Sequence, residues 1–588
     1  MYLRHTTFHK NGKTHTYWRL VKSVRIGKKV RQETVAELGE LDSQGRLRAQ
    51  ALAKRLGAEP ESPGLFDPPL DKEVAEIRLN AVALERVRRF GDVWLGTRLW
   101  AMAGLDAFFE KHLAEGKEDI PWATMAEILT IARLCEPSSE LHIAEDWLRK
   151  TALADLVGVV EEKINENRLY RGLDKVLPLK DKLEEYLKEH WQTKFNASYD
   201  LLLYDVTSVY FEGEMRKNPQ ARRGHSRDHR PDCKQVCVGV IMTRQGMPLG
   251  YEQFAGNVHD SKTVKAVVEK IEARYGKANR IWIWDRGMLS KDLLSWMHEG
   301  GRRYIMGLPK SELQKHEAVL TEATGWVTVR EGVEVRYVPT VTERGHAAQV
   351  LLVRSQDRRE KEAAMQALFA ERIEKALEKL YRRREKAKKA LDVTQVQRQI
   401  GRILQRNSRA ASLFEIQVQP ATDHPSGLTL SWRCRLDEHV RQVLRQGCYA
   451  LATNILDWTE GEVWKAYIQL TDVEDAFRMQ KWQLVMRPIH HQKEHRAQAH
   501  ILVCFLAFVL WKVMEQWQSQ AGLGNSPRTM LEELGHISSG DIVLPTTTGE
   551  RIRLRSTVKP EKAQQIILER LGIRLPRRMR IPELVPKM

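Results

Sequence analysis

The chain has 588 residues, room for about three to five structural units. Hydrophobic residues make up 42% and charged residues 29%, an ordinary globular balance that excludes wholesale disorder. Lys and Arg number 95 against 77 Asp and Glu, a net charge of +18, which points to a polyanionic partner, nucleic acid first.

In chain order, the first 32 residues carry nine Lys or Arg and no acid. TYWRLVKSVRIGKKVRQETVAEL alternates residue types around Gly27-Lys28, which predicts a small basic β-hairpin unit over 1–57. Its cations, interleaved with Tyr17 and Trp18, suit either a phosphate backbone or plain solvent. The Pro-rich stretch at 58–70 reads as a linker. Residues 71–195 read as a mainly helical domain with a second potential DNA contact, from segments such as WATMAEILTIARLC. From 200 the texture changes. LLLYDVTSVYFEG, KQVCVGVIMTR and MPLGYEQFAG predict three strands in a meander, followed by alternating helix and strand through ANRIWIWDRGM and RRYIMGL. Residues 310–447 interrupt this pattern with further strands and a charged helical stretch from 357 to about 408, where a coiled-coil contact with a second copy is one reading. YALATNIL resumes the buried-strand texture, and a helix is predicted from about Glu460 to Arg487. A hairpin, DIVLPTTTGERIRLRS, and a helix near 560–572 close a basic tail over 526–588.

The compartment expected is cytoplasmic. Six scattered cysteines are too few for a disulfide scaffold and read as reduced thiols. MYLRHTTFHKNGKTHTYWRL has no signal-peptide core. The longest apolar run, Ile501 to Trp511, falls short of the ~20 residues a membrane span needs, and reads as a buried helix.

Two aspartates stand at strand positions, Asp205 after LLLY and Asp285 after IWIW. A carboxylate in an apolar strand is costly unless it is paired or binds a metal. Neighbouring strands would bring the two together around divalent cations, which take oxygen ligands and, about 4 Å apart, can activate a nucleophile and stabilise a leaving oxygen in phosphoryl transfer. Pairing of each with a nearby arginine, such as Arg286, is the competing reading. On the helix predicted after YALATNIL, Tyr467, Glu474 and Lys481 are spaced by seven and so share one face, beside an apolar stripe of Leu470, Val473, Phe477 and Leu484. One helix could then dock on the sheet and present a hydroxyl, a carboxylate and an ammonium to a nucleic-acid backbone. The plainer alternative is an exposed helix with a Glu474–Arg478 ion pair.

Strand-Asp, strand-Asp-Arg-Gly, a long interruption, then Tyr467–x6–Glu474–x6–Lys481 resembles the DDE transposases of bacterial insertion sequences, in particular the group with the Y-x2-R-x3-E-x6-K signature. The signature arginine would fall at 470, where this chain has Leu470; Arg478 or Arg487 are the substitutes at hand. The resemblance implies an α/β fold with a ribonuclease H-like mixed-sheet core in two parts, 196–309 and 448–525, interrupted by a β-rich and long-helix insertion domain at 310–447. It implies Asp205, Asp285 and Glu474 as catalytic and metal-binding acids. Mg2+ is the expected ion, with Mn2+ as a substitute. Tyr467, Lys481, Arg286, Arg478 and Arg487 are expected to contact DNA. The implied reaction is two-metal cleavage at the ends of an insertion sequence and joining of the 3′-hydroxyls to target DNA. The implied partners are double-stranded DNA (terminal inverted repeats and target) and a second copy in a synaptic complex, with no membrane and a nucleoid-associated location. A DNA nuclease without strand transfer and a non-catalytic DNA-binding derivative are the alternatives.

His225, His229, Cys233 and Cys237 are spaced by fours, but Gly224 and Pro231 argue against a helical zinc site and for a basic loop near the acids. Asp260 is expected to cap the following helix.

Overall fold

The computed structural model describes residues 2–10, 13–26, 29–39, 75–113, 116–276, 280–288, 290–341, 347–422 and 424–579. The linker expected at 58–70 lies outside the described residues. The chain forms two compact units, one of Met1–Phe8, His15–Arg280 and Gln469–Met588, the other of His9–Thr14 and Ile281–Ile468.

Near the start of the chain, β1 (Tyr2–Lys10), β2 (Lys13–Ile26) and β3 (Lys29–Gly39) form a three-stranded sheet in that order. The hairpin expected around Gly27 is present, with Ile26 opposite Lys29. β4 (Ala83–Arg89) leads into a helical region that includes α1 (Gly91–Met102), α2 (Trp122–Cys135) and α3 (Lys180–Phe195). β5 (Leu201–Tyr210), β6 (Gln235–Thr243) and β7 (Pro248–Ala255) then make the expected antiparallel meander, followed by α4 (Asp260–Tyr275).

All of β5 is buried except Asp205 and Tyr210, which are half-buried, and all of β6 is buried. Such strands are covered on both faces, which accounts for their near-continuous apolar sequence. Gly239 on β6 faces Val206 across the ladder, and the Tyr204 ring lies over it. A Cβ added there would stand 2.5 Å from the Tyr204 hydroxyl oxygen and 2.7 Å from its ring. Gly239→Ala is therefore expected to cost about 1–3 kcal/mol through forced movement of a buried ring. A lowered thermal midpoint would show it.

The second unit holds a mixed sheet. β8 (Ile281–Trp284) runs parallel to β9 (Arg303–Gly307). β10 (Val327–Arg330), β11 (Val333–Val341) and β12 (Ala347–Ser355) form antiparallel neighbours. The charged stretch predicted as one helical run is two helices, α5 (Gln356–Glu385) and α6 (Val393–Arg406). The second begins because the Asp392 side chain accepts the Thr394 N–H at 2.8 Å, an N-cap. Ile373 and Leu377 on α5 are buried against Val396 and Ile400 on α6 and against Phe414, Leu428 and Leu430. These last three belong to the hairpin β13 (Phe414–Pro420) and β14 (Leu428–Cys434). The apolar stripe read as a potential coiled-coil seam is thus covered within the chain. β15 (Cys448–Thr453) pairs antiparallel with both β12 and β9, which gives the order β10-β11-β12-β15-β9-β8. α7 (Glu460–Ile468) ends the unit.

The chain returns to the first unit with α8 (Leu470–Trp482) and α9 (Glu494–Gln520). α9 contains the apolar run Ile501–Trp511, and every residue of that run is buried. α9 is long and apolar enough to cross a membrane, but most of it is packed inside the unit, against α2 and β7 among other elements. β16 (Ser538–Pro545) and β17 (Arg551–Thr557) form the expected tail hairpin. β16 also pairs with β4, more than 400 residues earlier. α10 (Lys562–Leu571) starts with a capping box in which the Gln564 side chain accepts the Glu561 N–H at 2.8 Å.

Candidate active site

Asp205 sits in the middle of β5 opposite Val240, with its carboxylate accepting the Val206 N–H at 2.7 Å. Its neighbour Tyr204 is buried, and burial, with the Asp205 charge adding to it, pushes the phenol well above its ordinary range. α8 packs on β5, and its residues Val473 and Phe477 are buried. The helix that carries Glu474 therefore lies against the strand that carries Asp205. Glu474 itself is exposed. Leu470 and Leu484 are buried as the apolar stripe requires, so Leu470, at the place of the signature arginine, serves packing.

Asp285 follows β8 in the second unit. It is half-buried, and its carbonyl accepts the Met288 N–H at 3.2 Å in the turn that holds the Asp-Arg-Gly triplet. The side chain of Arg286 lies outside the described ones. Tyr467 also belongs to the second unit. It is half-buried at the end of α7, its ring 6.4 Å from that of Tyr449.

The single helix expected from Glu460 to Arg487 is broken at Gln469 and ends at Trp482. Tyr467 and Glu474 consequently lie on different helices. Beyond Trp482, Val485 takes a left-handed conformation with φ of 46°, and Pro488 disfavours helical geometry at Arg487.

Lys481 is not presented to solvent. Only 9% exposed, its Nζ donates to Asp228 Oδ1 at 2.9 Å. Arg487 Nε lies 3.2 Å from the same oxygen, and the Asp228 side chain is 4% exposed. Burial pulls the Lys481 ammonium below its ordinary value, and Asp228 opposes that shift. The Arg487 guanidinium also lies 4.7 Å from the ring centre of Trp482, which is 68% exposed. Arg478 is exposed and pairs with Asp475 at 2.8 Å.

Asp228 lies on the basic loop between β5 and β6, and no spacing rule singled it out. Its only signal in the sequence is an acid among Arg227, His229 and Arg230. The same loop is tied to β5 by the Arg227 N–H, which donates to Ser208 Oγ at 3.0 Å, and to α4 by an Arg227–Asp260 ion pair. Asp260 thus does more than head its helix. Arg230 pairs with Glu212 and Asp232 and stacks 5.0 Å over Tyr210.

Among the described residues no group of three or more His, Cys, Asp or Glu side chains is arranged to hold a metal ion. This includes the His225–Cys237 segment, where Cys237 is buried on β6 and His225 and His229 are exposed. Three carboxylates have the hard-donor chemistry that a divalent cation takes. In the second unit, a cavity of about 440 Å³ is lined by Lys310, Arg358, Arg409 and Arg445 with Glu362, a predominantly cationic surface.

The family model for the transposase DDE domain matches residues 196–510, more than half of the chain and a span that contains Asp205, Asp285 and Glu474. The chain belongs to the DDE transposases. The model for the N-terminal domain of IS1634 family transposases matches residues 3–63, which places this transposase with the bacterial insertion sequences. None of the curated proteins matches it. A cryo-EM structure of a piggyBac transposase synaptic complex with hairpin DNA is similar at 9% identity and a TM-score of 0.34, over 79% of this chain and 82% of that one. DDE transposase domains generally use divalent metal ions, and Asp205, Asp285 and Glu474 are the transposase's candidates to hold them.

Proposed function

We propose that this transposase cuts DNA at the ends of an insertion sequence and joins the freed 3′-hydroxyls to target DNA, with Asp205, Asp285 and Glu474 as its catalytic carboxylates. The observation that carries this reading is the family match over 196–510, within which the strand of Asp205 packs against the helix of Glu474. The catalytic region is proposed to be ribonuclease H-like, in two parts at 196–309 and 448–525, with the insertion domain at 310–447. The basic unit at 1–57 and the helical domain at 71–195 are proposed to add DNA contacts. The ion is Mg2+, replaceable by Mn2+, and it supplies Lewis-acid polarisation at the scissile phosphate. Terminal inverted repeats and target DNA are the substrates, two copies act on paired ends, and the protein works in the cytoplasm on the nucleoid.

Tyr467, Arg286 and Arg478 are the proposed contacts to the DNA backbone, whereas Lys481 and Arg487, expected there from the sequence, are engaged by Asp228. Arg478, exposed one helical turn beyond Glu474, has the most accessible charge of those whose side chains are described. Its partner Asp475 is equally exposed, and such a surface pair is weak enough for a phosphate to replace. Arg478→Ala is expected to weaken DNA binding independently of sequence and to reduce the slope of log affinity against log salt by about 1. Fluorescence anisotropy across a salt series checks this.

The functional test combines the protein, Mg2+, labelled terminal-repeat DNA and a supercoiled plasmid. Joined products are expected. Cleavage without joining would favour a nuclease, and binding without either would favour a non-catalytic DNA-binding protein.

A further inference from the structure

Asp228 forms a buried ionic cluster with Lys481 and Arg487, and the proposed reaction gives it no role. Its Oδ2 is buried and accepts no hydrogen bond. One carboxylate therefore faces two cations that are 9% and 13% exposed at their side chains, and one of its oxygens is unsatisfied. An arrangement with a surplus buried positive charge and an orphan acceptor is a poor device for stability alone. Its placement suggests another role. The cluster sits at the last turn of α8, seven residues after Glu474. The loop that supplies Asp228 is also bonded to Ser208, three residues after Asp205 on β5. The apolar packing of α8 on β5 holds the helix down on the sheet, but apolar contacts are non-directional and leave its axial position loosely set. A charged hydrogen bond from the end of the helix to a loop anchored on β5 fixes that position.

We propose that Asp228 is a positioning residue for strand cleavage: acting through Lys481 and Arg487, it sets where α8, and with it Glu474, stands relative to Asp205 on β5. This rests on the transposase reading above. Asp228 touches neither substrate nor reacting atoms in this role. A misplacement of about 1 Å at a reacting centre costs on the order of 100-fold in rate, which gives the size of the effect.

The test compares wild-type full-length protein with Asp228→Asn, which keeps size and an acceptor but removes the charge. Single-turnover cleavage of labelled terminal DNA in Mg2+ and DNA affinity are measured separately. The expected result is a cleavage step slowed about 100-fold at saturating DNA, with affinity within about threefold. In a Lys481→Met background, Asp228→Asn should add little, because its effect is transmitted through Lys481. Ser208→Ala, which cuts the loop's tie to β5 and leaves no buried charge unpaired, should slow cleavage in the same sense by about tenfold, and it serves if Asp228→Asn does not fold. Unchanged cleavage in Asp228→Asn, or in Ser208→Ala where that variant stands in for it, overturns the proposal. So does tighter DNA binding with faster cleavage in Asp228→Asn, since the carboxylate would then be competing with phosphate for the two cations. If wild-type protein itself cuts no DNA, it is the functional reading that fails, and the two failures are distinct.

Discussion

Replacing Asp205 by asparagine is expected to lower DNA cleavage at least about 1,000-fold while DNA affinity changes only a few-fold. Electrostatic stabilisation at a reacting phosphate is worth several kcal/mol, and each 1.36 kcal/mol is a factor of ten in rate. Affinity is carried by cations along the backbone, so loss of one anion leaves it level or slightly improved. The substitution is nearly isosteric. The carbonyl oxygen of the introduced amide can still accept the Val206 N–H that Asp205 accepts at 2.7 Å, and the side chain is half-buried. Glu474→Gln is a still cleaner probe, because Glu474 is exposed and the packing face of α8 is carried by Val473, Ala476 and Phe477. Asp285→Asn completes the set, at the end of a strand whose four residues are all buried. The three variants should each abolish cleavage alone and show little further loss together, as groups that act as one unit do. Cleavage retained within tenfold in any one of them would remove that residue from the proposed catalytic set.

The sequence carried the strands well because both faces of β5 and β6 are buried, so nearly every position is apolar and an interrupting Asp205 is conspicuous. It carried α9 for the same reason, and the tail hairpin through its alternation around Thr547 to Glu550. Periodicity failed where a helix stops for reasons outside its own pattern. Nothing in the seven-residue spacing of Tyr467, Glu474 and Lys481 reveals the break at Gln469, because a helix pattern continues on either side of it. The burial of Lys481 was equally hidden. Spacing puts a residue on a face, but the loop that covers that face comes from about 250 residues earlier, and its Asp228 has no periodic neighbour to mark it. The split of the 357–408 stretch could have been read from Asp392, an N-cap residue inside an otherwise continuous charged run.

Asp541→Ala is expected to strip about 3 kcal/mol from the stability of the β4–β16–β17 sheet, the cost of leaving a buried guanidinium without its bidentate partner. Asp541 is fully buried on β16, and Arg555, its cross-strand partner on β17, is 3% exposed. The guanidinium binds the carboxylate through two bonds, Nε to Oδ1 at 2.7 Å and Nη2 to Oδ2 at 2.9 Å, and gives a third to Asp155 at 2.7 Å. Such a bidentate pair fixes the register of the hairpin as well as its energy, since a one-residue slip would part the two charges. Burial pushes the Asp541 carboxyl upward, but the Arg555 hydrogen bond and charge outweigh it and hold it below its ordinary range. A folded-state value below the unfolded one means the pair contributes fully above the unfolded carboxyl value of about 3.9 and loses its contribution as pH falls through the folded value. Hydrogen exchange of the β16 and β17 amides reads this sheet separately from the rest of the chain, and protection there should fall by the stated amount in Asp541→Ala at neutral pH. The double replacement Asp541→Leu with Arg555→Met should recover part of it, because it removes the unmatched pair but leaves the Asp155 carboxylate to Arg86 and Arg88. Unchanged protection in Asp541→Ala would mean that the hairpin is held by its backbone ladder and by the Arg555–Asp155 contact, with the buried pair contributing nothing.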